Sequence, residues 1–164
     1  MEDCYLIVSD IHGNDAGLDL VKDAIRKYSP KATISCGDQC PDIFEPLYSD
    51  MICVRGNCDT FYSYGNIPFP PVYRQMDLFG RKTIITHGDR YCYSDFELEK
   101  GSIFLSGHTH VPNLEERDGL YLLNPGSPSR PRSSSGPTMG LIFPFGLRLV
   151  SLLDFSLLSA MDFS

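Results

Sequence analysis

Positive charge is what this 164-residue sequence has too little of: 14 Lys and Arg stand against 21 Asp and Glu, a formal net charge of −7. Contact with a polyanion draws on a surplus of cations, so duplex nucleic acid is excluded as the main partner. Any chemistry on phosphate must then take its positive charge from metal ions. Long apolar segments are also missing. Met1-Glu2-Asp3 leads straight into a short apolar run with no basic stretch ahead of it, so no signal peptide is expected. The apolar end of the chain is broken by Asp154 and Asp162 and is too short to span a bilayer. The expectation is a cytoplasmic protein with no membrane partner. No internal repeat is present, and the length suits one domain over residues 1–164, with 156–164 as a tail. The six cysteines, Cys4, Cys36, Cys40, Cys53, Cys58 and Cys92, are scattered, which in a reducing compartment reads as free thiols.

Histidine is scarce, and none of the 4 is left over for the surface. Gly107-His108-Thr109-His110 puts two imidazoles two positions apart after the apolar run Ser102 to Ser106. Side chains two apart on an extended or tightly turning backbone leave on the same side, so both rings can reach one small volume. His12, in Asp10-Ile11-His12-Gly13, and His87, in Thr86-His87-Gly88, likewise follow apolar runs. A lone His beside Gly is an ordinary turn residue; four in this arrangement point to metal binding.

Taken in order, Cys4 to Ser9 is a buried strand, too short and too apolar for a surface helix. Asn14 or Asp15 then caps a helix whose apolar face is Leu18, Val21, Ile25 and Tyr28, ending before Ser29-Pro30. The strand Ala32 to Ser35 leads to Cys36-Gly37-Asp38, completing a strand–helix–strand unit. Such units build parallel sheets, whose ligands gather beyond the carboxyl ends of the strands. A short helix is expected over Asp42 to Ser49 and a strand over Met51 to Val54, leading into Arg55-Gly56-Asn57-Cys58-Asp59. Tyr62 to Pro71, with its prolines, reads as an irregular loop. A hairpin follows, Val72 to Phe79 and Lys82 to Thr86 around Gly80-Arg81, and then a short helix over Ser94 to Lys100. Asp118-Gly119 marks a second hairpin that closes on Asn124-Pro125-Gly126-Ser127. Pro128 to Pro137, rich in Ser, Pro and Arg, reads as a mobile loop before two strands, Met139 to Phe143 and Leu147 to Leu153. The class is α/β: an early parallel part and a later antiparallel part, satisfied by two sheets packed face to face with helices outside.

Asp10, His12, Asp38, Asn57, His87, His108 and His110 all stand at strand ends. Together they would overfill one ion, and two ions fit better. Two metals that share a carboxylate, about 3.5–4 Å apart, clamp the attacking and leaving oxygens of a phosphoryl displacement. The mix of imidazole, carboxylate and amide favours Mn, Fe, Co, Ni or Zn over Mg and Ca.

Asp10-x-His12, Gly37-Asp38, Gly56-Asn57, His87 and Gly107-His108-x-His110 resemble the motifs of the calcineurin-like metallophosphoesterases. The spellings Gly-Asn-Cys-Asp and Asn-Pro-Gly-Ser resemble its small YfcE-like phosphodiesterases, and the likeness runs from Cys4 to about Leu153. It implies a four-layer α/β/β/α sandwich of two mixed sheets flanked by helices, a dinuclear centre usually associated with manganese, and a small phosphodiester substrate. By the same resemblance Asp10, His12 and His110 hold one ion and Asn57, His87 and His108 the other. Asp38 bridges them, and a hydroxide shared by the two ions is the nucleophile. Many relatives carry His after the motif Asn, where it protonates the leaving group; here that position is Cys58. A thiol is a weak donor, so diesters with good leaving groups become the better substrates than monoesters.

Asn14 is expected as a helix cap, with a phosphate contact as the alternative. Arg130 and Arg132 are read as part of a solvated loop, with capture of an anionic substrate as the alternative. A retromer subunit of the same fold serves as a binding platform, so a non-catalytic scaffold is the competing function. Phe61 to Tyr64 and Phe143 to Phe145 would supply a patch for a homo-oligomer. A third reading takes Cys36, Cys40, Cys53 and Cys58 as a structural zinc site, which leaves the histidines unexplained.

Overall fold

Alternation of side chains decides where the first strand sits. In β1 (Tyr5–Val8), Leu6 and Val8 face one way and Ile7 the other, and all three are fully buried. A strand apolar on both faces belongs inside a sheet that is covered on both sides. The computed structural model, which describes residues 2–164, has that arrangement. On one side β1 packs against α1 (Asp15–Tyr28), through Leu18, Val21 and Ala24. On the other, Ile7 enters an apolar layer between two sheets, with Ile34, Val54, Ile85, Leu105, Leu123 and Ile142. Asn14 is the helix cap: its Oδ1 accepts the Gly17 N–H at 2.8 Å. The helix stops at Ser29, which turns left-handed at φ 43° with its N–H on Ile25 O.

The first sheet also contains β2 (Ala32–Ser35) and β3 (Ile52–Cys53), separated by the one-turn α2 (Leu47–Asp50). After the one-turn α3 (Phe61–Tyr64), β4 (Tyr73–Leu78), β5 (Arg81–Thr86), β6 (Ile103–Leu105), β7 (Asn113–Arg117) and β8 (Leu120–Asn124) make the second sheet. The chain then returns to the first with β9 (Thr138–Phe143), β10 (Gly146–Ser151) and β11 (Leu157–Asp162). The orders are β11-β10-β9-β1-β2-β3 and β4-β5-β6-β8-β7. β1, β2 and β3 run parallel in one sheet, and β5, β6 and β8 in the other. Their carboxyl ends carry the seven candidate ligands.

Several elements differ from the sequence expectations. The helix expected over Asp42 to Ser49 shrinks to α2 because Pro46, lacking an N–H and crowding the preceding turn, ends one turn and starts the next. A turn of helix, α3, stands in the expected loop; Thr60 caps it and Tyr64 is buried beneath it. The first hairpin turns at Phe79-Gly80, φ 52° and 81°, one residue earlier than expected, with the Phe79 ring edge-on to Tyr5 at 5.1 Å. Ser94 to Lys100 forms only a 3-10 turn, Tyr93–Asp95, since its apolar residues Phe96 and Leu98 are two apart and make no helical face. That turn and the rings of Tyr91 and Phe96, set against Phe104, are a thin outer layer on the second sheet. Residues 156–164 carry β11, paired antiparallel to β10, where a tail was expected. Within the expected self-association patch Tyr64 is buried and Phe143 partly so, leaving Phe61, Tyr62 and Phe145 exposed. Among the described residues no helix is long and apolar enough to cross a membrane.

Candidate metal centre

Five of the seven candidate ligands sit in left-handed backbone: Asp10 (φ 59°), His12 (53°), Asp38 (53°), His108 (75°) and His110 (62°). This conformation costs an L-residue on the order of 1–2 kcal/mol and is least unfavourable for Asn, Asp and His. It folds each strand end back sharply, so that side chains leaving different strands meet over the seam between the sheets. Two close approaches require glycine. A Cβ on Gly56 would run into Asp38 Oδ1, and one on Gly107 into Ser9 Oγ.

All seven residues converge. His12 Nε2 and His110 Nε2 are 3.3 Å apart, and Asp10 Oδ1 lies 3.2 Å from His110 Nε2 and 3.6 Å from His12 Nε2. On the other side His87 Nε2 is 3.0 Å from Asn57 Oδ1 and 3.3 Å from His108 Nδ1, which is 3.2 Å from the same amide oxygen. Asp38 Oδ2 lies between the groups, 3.2 Å from His87 Nε2 and 3.7 Å from His12 Nε2. Such distances between donors suit atoms gathered about ions at bonds of roughly 2 Å. The decisive atom is Asp10 Oδ1. It is buried, faces three imidazoles and makes no hydrogen bond in the structure. An anionic oxygen left bare in the interior is costly unless a cation meets it. The residues therefore fit divalent ions.

The surroundings orient the donors. His87 Nδ1–H donates to Cys36 O at 2.7 Å and His110 Nδ1–H to Arg130 O at 2.8 Å, which leaves each Nε2 turned to the centre. Asp10 spends its other oxygen on Ser9 Oγ–H (2.6 Å) and His108 N–H (3.0 Å), while Asp38 Oδ1 accepts the Cys58 N–H at 2.8 Å. Burial opposes ionisation of Asp38, but the bonds from His87 and Cys58 N–H, with the charges of His87 and His12, hold its carboxyl down at about 2. Burial likewise lowers His87, yet Asp38 and Asp10 outweigh it and raise the ring to about 9. Burial keeps His12 below its ordinary value, with its lone pair available.

Asp59 is the residue that sequence reasoning passed over. Buried, it accepts Asp38 N–H (2.9 Å), Gly56 N–H (2.9 Å) and Cys40 N–H (3.0 Å), tying two ligand loops together. Its signal was local: an acid three residues after Gly56 in a tight turn is an acceptor for that turn's N–H. Cys58 Sγ lies with His12 and Asp38 in one cluster of ligand atoms, all within 4.8 Å of one another. Burial first, then Asp38, Asp59 and Asp10, push its thiol up, so it keeps its proton. The four-cysteine zinc reading is corrected, because Cys36 belongs to the core between the sheets while Cys58 is exposed beside the histidines. The loop after Ser127, expected to be mobile, is bound to the centre over residues 127–132. Ser127 Oγ donates to Asp10 O, Ser129 Oγ to Ile11 O, and Arg132 N–H to His110 O.

Two sheets whose parallel strands deliver histidine and carboxylate to one seam define a metallophosphoesterase-type centre. The chain belongs to the calcineurin-like phosphoesterase superfamily, whose domain model matches residues 5–143. It is 32% identical over 148 residues to a probable metallophosphoesterase of Methanothermobacter thermautotrophicus, covering 82% of this chain and 83% of that one. It is 25% identical over 174 residues to phosphodiesterase YfcE of Escherichia coli K12, covering 94% and 95%. The solved structure of the E. coli YfcE phosphoesterase superposes with a TM-score of 0.88 at 23% identity, over 98% of this chain and all of that one. Vps29 of Entamoeba histolytica complexed with Zn2+ shares the fold, with a TM-score of 0.72 at 20% identity over 98% and 99% of the two chains.

Proposed function

We propose that this protein hydrolyses small phosphodiesters at a dinuclear metal centre. The observation that carries the proposal is the convergence of the seven donors, with Asp10 Oδ1 left bare among three of their imidazoles. In this reading Asp10, His12 and His110 hold one ion, Asn57, His87 and His108 the second, and Asp38 both. When bound, two divalent ions supply Lewis-acid polarisation of phosphoryl oxygens and lower the pKa of an attacking water. Manganese is the ion proposed first; Fe, Ni, Co and Zn are compatible with the same donors.

The chain's own residues do the rest. The Cys36 carbonyl fixes the His87 ring, the Arg130 carbonyl fixes that of His110, and Asp59 holds Asp38 and Gly56 in register. In this reading Cys58, whose Sγ clusters with His12 and Asp38, would face the leaving group, and it offers only a protonated thiol, a weak donor. Negative charge on the departing oxygen then goes largely unrelieved, which favours diesters with good leaving groups over monoesters.

A scaffold of the same fold is the competing function, and its mark would be missing ligands. The complete donor set supports catalysis. The test is a panel of mono- and diesters assayed with metal-stripped protein reloaded with each divalent ion in turn. Metal-dependent turnover of aryl diesters, with two ions per chain, is the expected result. A reloaded protein that turns over no ester, whether or not it holds metal, is the scaffold.

A further inference from the structure

One segment is fixed to the centre far more firmly than its composition requires. Ser127 Oγ donates to Asp10 O at 2.8 Å and accepts N–H bonds from Ser129 (3.2 Å) and Arg130 (2.9 Å). Ser129 Oγ donates to Ile11 O at 2.7 Å and packs so close to Gly17 that a Cβ there would clash with it. His110 Nδ1–H donates to Arg130 O at 2.8 Å, and Arg132 N–H to His110 O at 3.1 Å. Residue 130 is thereby set beside ligand segments from both sheets, Asp10 to His12 and His110.

The side chain carried at that point is an exposed arginine, and among the described residues its guanidinium has no carboxylate within 4.0 Å and no hydrogen bond. Most other arginines are occupied: Arg55 lies 4.1 Å over the Phe69 ring and donates to Pro70 O, Arg74 donates to Cys53 O, and Arg148 meets Asp162; Arg132 is exposed and unpaired among the described residues as well, but its carbonyl holds no ligand ring. The Arg130 carbonyl lies 2.8 Å from His110 Nδ1, and the other nitrogen of that ring lies 3.3 Å from His12 Nε2, so residue 130 stands on the side of the centre formed by these two histidines. A chain of net charge −7 has few cations with which to receive an anion, and this one stands unengaged at the metal site.

We propose that Arg130 binds a non-bridging oxygen of the substrate phosphate, making it a substrate-binding residue of the His12 and His110 side of the centre. The inference rests on the phosphoesterase reading above. A guanidinium presents paired N–H donors that match two oxygens of one phosphate, which an ammonium does not. The built-in separation of roles makes a clean test, because the backbone carbonyl that orients His110 survives any substitution of the side chain.

The experiment compares wild type, Arg130→Ala, Arg130→Lys and the remote control Lys31→Ala, all loaded with the same metal. Binding of inorganic phosphate is followed by calorimetry, turnover with a diaryl phosphodiester, and bound metal by elemental analysis. Loss of a hydrogen-bonded charge should weaken phosphate binding and lower kcat/KM by about 10- to 100-fold in Arg130→Ala. Arg130→Lys should fall between, and metal content should stay at the wild-type value in every variant. Arg130→Ala protein that binds phosphate as wild type does, or that loses metal, overturns the inference; metal loss would mean that the residue acts through His110. Metal-loaded wild type that binds no phosphate at all overturns the phosphoesterase reading with it.

Discussion

In the proposed reading, Asp38→Asn removes the carboxylate charge that both ions would share. Asn is isosteric and tolerates the left-handed backbone at φ 53°, and its amide oxygen can still accept the Cys58 N–H, so the loop should hold its shape. What is lost is a unit of negative charge at Oδ2, which lies 3.2 Å from His87 Nε2 and 3.7 Å from His12 Nε2. A unit charge pair at 4 Å is worth about 4 kcal/mol at an effective dielectric constant of about 20. At about 1.4 kcal/mol per factor of ten, that is roughly a thousandfold in affinity, and both ions should feel it. The assay is metal bound per chain across a series of buffered free-metal concentrations, with diester turnover on the same samples and circular dichroism to verify the fold. The expected outcome is parallel weakening of both sites and a larger loss of turnover than any other single ligand change gives. A variant that keeps two tightly held ions and near-normal turnover, or that loses one ion only, refutes the bridging role.

Three further outcomes follow. Metal-free protein should stay folded, since both apolar clusters of its core are built without the candidate ligands, and metal at 100 times its Kd should add about 2.7 kcal/mol, seen as a raised Tm; an apo chain unfolded by circular dichroism contradicts this. Metal loading should expel a proton at pH 7.5, because His87, raised to about 9 in the metal-free chain, must become neutral to bind. The same shift stabilises the metal-free fold below the unfolded His value, about 6.5, and that contribution is lost as pH climbs through about 9. Calorimetry in buffers of different ionisation enthalpy reads the proton count, and none released at pH 7.5 would contradict the pairing with Asp38. Finally, turnover across a series of diesters should fall steeply with leaving-group pKa, and Cys58→His should flatten that slope, since general-acid catalysis contributes about 10²–10⁴-fold. A flat slope in the native enzyme, with chemistry rate-limiting, means that another group donates the proton.

The seven donors were legible because each follows a short apolar run and sits by a glycine or a tight turn, the local signature of a strand end. The parallel strands were legible for the same reason. Asp59 was harder to see, since two of its three bonds go to residues 19 and 21 positions away, and spacing carries no record of them. The Ser127 to Arg132 segment reads as mobile by composition, but its serines are spent on the carbonyls of Asp10 and Ile11, more than a hundred residues earlier. β11 stayed hidden because its exposed Leu157 and Leu158 break the alternation that marks a half-buried strand. Local chemistry is written in neighbours along the chain; loop anchoring and edge pairing are written in partners that only the fold brings near.

The left-handed backbone at Asp10, His12, Asp38, His108 and His110 limits which changes these positions can undergo by drift. Asp, Asn, His and Gly fit that conformation with least strain, while branched side chains resist it. Random exchange within that small alphabet would leave the loops in place while altering the charge and hardness of the donors. Such a frame can change its preferred ion, or lose it altogether, through single substitutions that cost the scaffold little. A chain of this design therefore lies a short mutational walk from descendants that keep the shape and abandon the chemistry.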